Sequence, residues 1–218
     1  MPVEEIYGEE LSRIRAQCQE NGTFSWTSPQ YQSDLLNFIN DHRKHGHAVI
    51  EVGCYKGGLS ALLALLCSRN GQHLFTMDID PTAVASTNDV LDRCGVHGCA
   101  TVFHGGLAAF AASGLLTSTP VLCILDGDHA YDAVKLDLEA VNLLSHRPYA
   151  LAFHDYSLRH PTTDERVDEA VRDFWNGKVT PRPIGLHMNG QGHPTREAPQ
   201  PDGHYWEVPG SEGALAIL

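Results

Sequence analysis

Basic residues are scarce: 15 Lys and Arg stand against 27 Asp and Glu among 218 residues, a formal net charge of -12. So acidic a chain is poorly suited to track a nucleic-acid backbone or an anionic membrane surface, since both reward a basic face. Long hydrophobic runs are missing, and none approaches the roughly 20 apolar residues of a bilayer-spanning helix. The opening residues, MPVEEIYGEE, are acidic where a secretion signal is basic, so a cytoplasmic location is expected. The six cysteines (Cys18, Cys54, Cys67, Cys94, Cys99 and Cys123) include no Cys-x-x-Cys pair. Most lie in apolar or helix-like stretches, which favours small buried hydrophobes over disulfides or zinc ligands. Internal repeats and low-complexity segments are absent. What remains is an ordinary globular composition, 42% hydrophobic and 19% charged. It is long enough to bury one core unaided.

Helices are expected from about Glu4 to Glu20 and from Ser28-Pro29 onward, where a capping serine precedes a proline at the first helical position. Short apolar strands then alternate with helices. Strands are expected at Ala48–Val52, His73–Met77, Ala100–Phe103, Val121–Leu125 and Ala150–Phe153, and helices at Leu59–Ser68, Pro81–Cys94, Leu107–Ser113 and Ala133–Leu144. That alternation predicts a parallel sheet covered on both faces. A further helix over Asp164–Trp175 precedes a Gly-, Pro- and His-rich stretch, Asn189–Gly203. Its flanks, Pro183–His187 and His204–Val208, predict an antiparallel pair joined by a long loop of the kind that forms lids or disordered tips.

The first strand ends in an acid and a glycine turn, Glu51-Val52-Gly53-Cys54-Tyr55-Lys56-Gly57-Gly58-Leu59-Ser60. Glycine lets a ligand approach the backbone, and the helix that follows offers free amides at its N-terminus. The spacing is Gly-x-x-x-Gly, without the Gly-x-Gly-x-x-Gly of dinucleotide binders, and no P-loop is present. The second strand ends in Asp78-Ile79-Asp80. Asp80 caps the next helix, which leaves Asp78 placed to accept hydrogen bonds from ribose hydroxyls. The third strand turns at His104-Gly105-Gly106. The fourth ends in Leu125-Asp126-Gly127-Asp128-His129-Ala130-Tyr131 and the fifth in Phe153-His154-Asp155-Tyr156.

These motifs, in this order from Ala48 to Ser157, resemble the class I S-adenosylmethionine-dependent methyltransferases. They are most similar to small bacterial O-methyltransferases with an Asp-Gly-Asp-His-x-Tyr signature. The resemblance implies a Rossmann-like, doubly wound α/β fold with a seven-stranded sheet, mostly parallel, ending in an antiparallel strand pair. It implies S-adenosylmethionine contacts at Glu51, Gly53, Cys54, Gly57, Ser60, Asp78, Ile79, Gly105, Leu107 and Asp126. By analogy with metal-dependent catechol-type enzymes, Asp126, His154 and Asp155 would hold a divalent ion, with Asp126 and His129 catalytic and His129 the general base. That family usually has lysine where His129 stands and a carboxylate or amide at His154, so manganese, iron or zinc compete with magnesium. The expected acceptor is a hydroxyl on a small molecule, with neither nucleic acid nor membrane as partner. Residues 1–46 are expected to cap the substrate and a homodimer interface, and residues 47–218 to form the cofactor domain.

Other readings stay open. Asp126 also suits a cofactor contact or helix cap, His129 a backbone hydrogen bond, and His154 a packed core histidine. A nicotinamide-dependent oxidoreductase, or a member of the same fold that does not methylate, are the rival functions. An EF-hand at Asp126 fails because Tyr131 stands where glycine is needed. A hydrolase elbow fails because Gly58-Leu59-Ser60 lacks its closing glycine. Trp26, Tyr31 and Trp175 are candidate pocket aromatics, although such spacings more often mark core. His187, His193 and His204 lack metal-ligand spacing and read as exposed loop histidines.

Overall fold

The computed structural model describes residues 1–187, 193–207 and 210–218. The chain runs α1 (Val3–Glu20), α2 (Pro29–His42), β1 (Ala48–Val52), α3 (Gly58–Asn70), β2 (His73–Asp78), α4 (Pro81–Cys94), β3 (Ala100–His104) and α5 (Leu107–Ser113). It continues with β4 (Pro120–Leu125), α6 (Tyr131–Val141), β5 (Ala150–His154), β6 (Leu158–Arg159), α7 (Val167–Phe174), β7 (Arg182–His187), β8 (Tyr205–Trp206) and β9 (Ser211–Ile217). Ser28 caps α2 by accepting from the Tyr31 amide, and Asp80 caps α4 by accepting from the Thr82 amide; each is followed by proline.

Seven strands form one sheet in the order β3-β2-β1-β4-β5-β9-β7. Pairings among β1 to β5 are parallel, and β9 runs antiparallel between β5 and β7. The Rossmann-like α/β fold expected above is the one present. Successive residues of β1 serve opposite faces, with Val49 in one core and Ile50 in the other. Leu11, Ile14, Leu35 and Leu36 of α1 and α2 share the first core with Leu62, Leu63 and Leu66 of α3. Helix α3 is apolar all round because α1 and α2 wrap the side that would otherwise face water. The second core joins Phe110, Leu138 and Val171 of α5, α6 and α7 to Cys123 and Phe153. All six cysteines are free thiols, five of them buried.

The tail of the sheet corrects one expectation. Pro183–His187 pairs with β9, Ser211–Ile217, rather than with His204–Val208. Tyr205 and Trp206 instead pair with Leu158–Arg159 in a separate two-stranded sheet, and Val208 lies outside the described residues. Strand β9 escaped notice because Ser-Glu-Gly-Ala-Leu-Ala-Ile has little β-branched or aromatic content. Buried on both faces, it also lacks the polar alternation that marks a half-exposed strand. Helix α7 begins at Val167 rather than Asp164, since Glu165 bridges to Ala130. Of the expected loop, Asn189–Gly192 lies outside the described residues, and Thr195 bridges to Ala198 further along.

Candidate active site

The strand order reverses at β1 and β4, whose following connections leave toward opposite edges and open a crevice at the carboxyl ends of the strands. A cavity of about 670 Å³ occupies it, within the range of small-molecule sites. Gly53, at φ +89, brings two turns together there: a Cβ on it would lie 2.0 Å from the Asp126 carbonyl oxygen. Gly58 is as constrained, because a Cβ would fall 2.5 Å from the Ser25 amide nitrogen. That contact seats Phe24, Ser25 and Trp26 as a wall over the glycine turn.

Asp78 closes β2 with both carboxylate oxygens engaged. Oδ2 accepts from the Tyr55 amide and Oδ1 from the Asp80 amide, each at 3.0 Å, and a lone pair on each remains for a ligand. Ile79 is 76% exposed and Leu136 64% exposed, yet both line the cavity as apolar plates. Glu51 lies beneath, 1% exposed, accepting from the Ser60 and Thr76 hydroxyls at 2.5 Å each. Burial pushes its carboxyl up to about 7, against the pull of those two donors.

The inner end of the cavity gathers two imidazoles and two carboxylates. His154 Nδ1 is 2.9 Å from Asp126 Oδ1 and 3.6 Å from Asp155 Oδ2. His129 Nε2 is 3.5 Å from Asp126 Oδ1, and its Nδ1 is 3.5 Å from Asp155 Oδ2. Asp155 adopts φ +48, a left-handed conformation that aspartate tolerates better than most residues. Burial alone would raise the Asp126 carboxyl, but the His154 charge and the neighbouring His129 bring it down to about 2. Burial opposes protonation of both histidines, and the charges of Asp126 and Asp155 override it, so both are held above the usual imidazole range. Three buried polar atoms here make no hydrogen bond: the Tyr31 hydroxyl, His129 Nε2 and His154 Nδ1. Among the described residues, the group whose donor atoms converge closely enough for a metal ion is Asp126, His129 and His154.

Residues 50–156, just under half of the chain, match the family model of a methyltransferase domain. The fold is one that solved methyltransferases share. It is shared with the O-methyltransferase TomG of Streptomyces achromogenes, a protein of tomaymycin synthesis solved with SAM (17% identity, 96% of this chain and 89% of that one, TM-score 0.58). It is also shared with a Bacillus cereus O-methyltransferase solved with SAH (14% identity, 96% and 91% covered, TM-score 0.59). A provisionally assigned O-methyltransferase of Klebsiella pneumoniae is 16% identical, with 96% and 89% covered and a TM-score of 0.61. No curated protein matches the sequence.

Within this fold, Glu51, Gly53, Cys54, Asp78, Ile79, Gly105, Asp126, His129, His154 and Asp155 all line the same cavity. Three other candidates sit behind its wall. Gly57 caps α3 against Thr87, Ser60 is fully buried on Glu51, and Leu107 belongs to the second core. The aromatics divide: Trp26 lines the cavity, Tyr31 is fully buried edge-on to His154, and Trp175 packs on Phe153. Of the late histidines, His204 lies between Glu165 and Asp202. Sequence reading missed Phe24, Lys56, Leu136, Asp137 and Glu212. Only Lys56 carried a signal, its place inside the glycine turn.

Proposed function

We propose that this protein is an S-adenosylmethionine-dependent methyltransferase that acts on a hydroxyl of a small-molecule acceptor. The observation that carries the reading is the shared cavity: Asp78, the Gly53 turn and the apolar plates Ile79 and Leu136 lie along it, and the acid–imidazole cluster closes its inner end. The Asp78 carboxylate suits a ribose diol, and the plates suit a purine. Structural neighbours solved with SAM and with SAH support the same cofactor. Lys56 is the one Lys or Arg lining the cavity among the described residues, which together with the net charge of -12 argues for a small molecule over nucleic acid.

The donor set also fits a divalent cation. Asp126, His154 and Asp155 would hold it, and the unsatisfied His154 Nδ1 is a polar atom that such a group would occupy. Bound S-adenosylmethionine supplies an electrophilic methyl group, and a cation beside the acceptor hydroxyl would lower its pKa. His129 then takes the hydroxyl proton. A carboxylate faces each of its ring nitrogens at 3.5 Å, so the imidazolium is stabilised from both sides. Phe24 and Trp26 line the same cavity at the glycine turn, and catalysis is otherwise a matter of position. The convergence of His129 with Asp126 and His154 favours a second reading, in which His129 is itself a ligand.

Calorimetric titration of S-adenosylmethionine into chelator-treated protein tests the proposal. Saturable binding is expected, weakened about 30-fold in Asp78→Ala if the lost charged hydrogen bonds amount to about 2 kcal/mol. Absence of wild-type binding overturns it.

A further inference from the structure

Glu212 is a buried carboxylate, 5% exposed, on the strand between β5 and β7. Three donors fix it. Oε1 accepts from the Ser28 amide at 2.6 Å, while Oε2 accepts from the Leu186 amide at 3.0 Å and, at short range, from the Ser28 hydroxyl. Its Oε1 faces His154 Nε2 at 3.6 Å, an ion-pair separation. On the opposite side of that ring, His154 Nδ1 lies beside Asp126 and Asp155 without a hydrogen bond. Tyr31 packs edge-on against the same imidazole, ring centroids 5.0 Å apart. Gly213 makes room for it, because a Cβ there would lie 2.2 Å from Tyr31 Cε2. The imidazole is therefore braced on one edge and by one neighbour, with its unsatisfied nitrogen turned into the cluster.

Histidines that bind metals almost always present their other ring nitrogen to a carboxylate or carbonyl, which sets the ring orientation and strengthens the ligand. Imidazole nitrogen suits zinc, iron, cobalt and nickel, whereas magnesium prefers oxygen and retains its waters. We propose that Glu212 is a positioning residue for a metal centre. It holds His154 with Nδ1 presented beside Asp126 and Asp155, and the nitrogen ligand makes the centre select a transition ion over magnesium. The proposal rests on the cation-assisted reading above.

The test uses the full chain, stripped with chelator and titrated with cobalt(II) chloride while visible absorption is followed, with magnesium as competitor. Wild type is expected to bind cobalt at least 10-fold more tightly than magnesium. In Glu212→Gln cobalt affinity should fall about 10- to 100-fold, with S-adenosylmethionine affinity retained. Unchanged cobalt affinity in Glu212→Gln overturns the role of Glu212, and equal affinities for the two ions overturn the selectivity. Wild type that binds S-adenosylmethionine but no ion overturns the metal centre and leaves the methyltransferase reading standing; loss of cofactor binding overturns that reading instead. A measurement on wild type covers the case in which Glu212→Gln fails to fold. Long-range proton–nitrogen spectra of the zinc-loaded protein should show His154 ligated through Nδ1 and protonated at Nε2. Ligation through Nε2, or an unligated His154, refutes the proposal.

Discussion

Glu51→Gln should make the protein more stable at neutral pH. The carboxyl is 1% exposed and titrates at about 7 in the folded chain, against an ordinary value of 4.5. Between those two values the folded state holds a proton that the unfolded state has released. Stability therefore falls as pH rises through that window and levels off above about 7. At about 1.4 kcal/mol per pH unit, the loss comes to about 3 kcal/mol. Glutamine has no proton to lose, and its carbonyl oxygen still accepts from the Ser60 or Thr76 hydroxyl. Urea denaturation of ligand-free wild type and Glu51→Gln, run in steps from pH 5 to 8, reads the difference. The variant should gain on wild type by most of that 3 kcal/mol across the range, which for a chain of this size corresponds to about 6–12 °C in Tm. Two pH–stability curves that stay parallel would refute the assignment of a strained, half-ionised carboxylate beneath the glycine turn.

Two further substitutions probe the inner cluster. Gly213→Ala drives a methyl group into the Tyr31 ring and should destabilise the fold by about 1–3 kcal/mol, read as a lower urea midpoint; an unchanged midpoint would show that Tyr31 has room to move. His129→Ala separates base from ligand. As base, its loss should lower the methyl-transfer rate at least about 100-fold with manganese affinity unchanged in calorimetry, whereas a matching loss of manganese affinity would move His129 into the ligand set.

The core of the sheet was readable in advance because β1 to β5 are apolar runs broken by caps and glycines, with Ser28-Pro29 and Asp80-Pro81 marking two helix starts. The same punctuation led to Asp78 and to the acids after β4 and β5, since strand ends are where such sheets place ligands. What stayed hidden depends on contacts between distant parts of the chain. Glu212 sits in a segment of small residues with no local signature, and its meaning comes from Ser28 and Leu186, which only the folded sheet brings to it. Trp26 was one candidate pocket aromatic among three and Phe24 carried no signal; the contact of Gly58 with Ser25 is what places both over the turn. Ser60 pointed the other way: its position after the glycines suggested a ligand contact, but its hydroxyl turns inward to Glu51.

The insertion of β9 between β5 and β7 bears on how the molecule assembles. β7 emerges earlier in synthesis than β9, yet its partner in the sheet is β9, so it has to wait for a strand not yet made before it can dock. Until then the edge of β5, Ala150–His154, is an unpaired and apolar template, the kind of edge that recruits strands from other chains. β9 closes that edge and delivers Glu212 to His154 in the same step. A chain stalled before β9 inserts would be both aggregation-prone and without the carboxylate beside His154, so completion of the cluster and protection from misassembly arrive together.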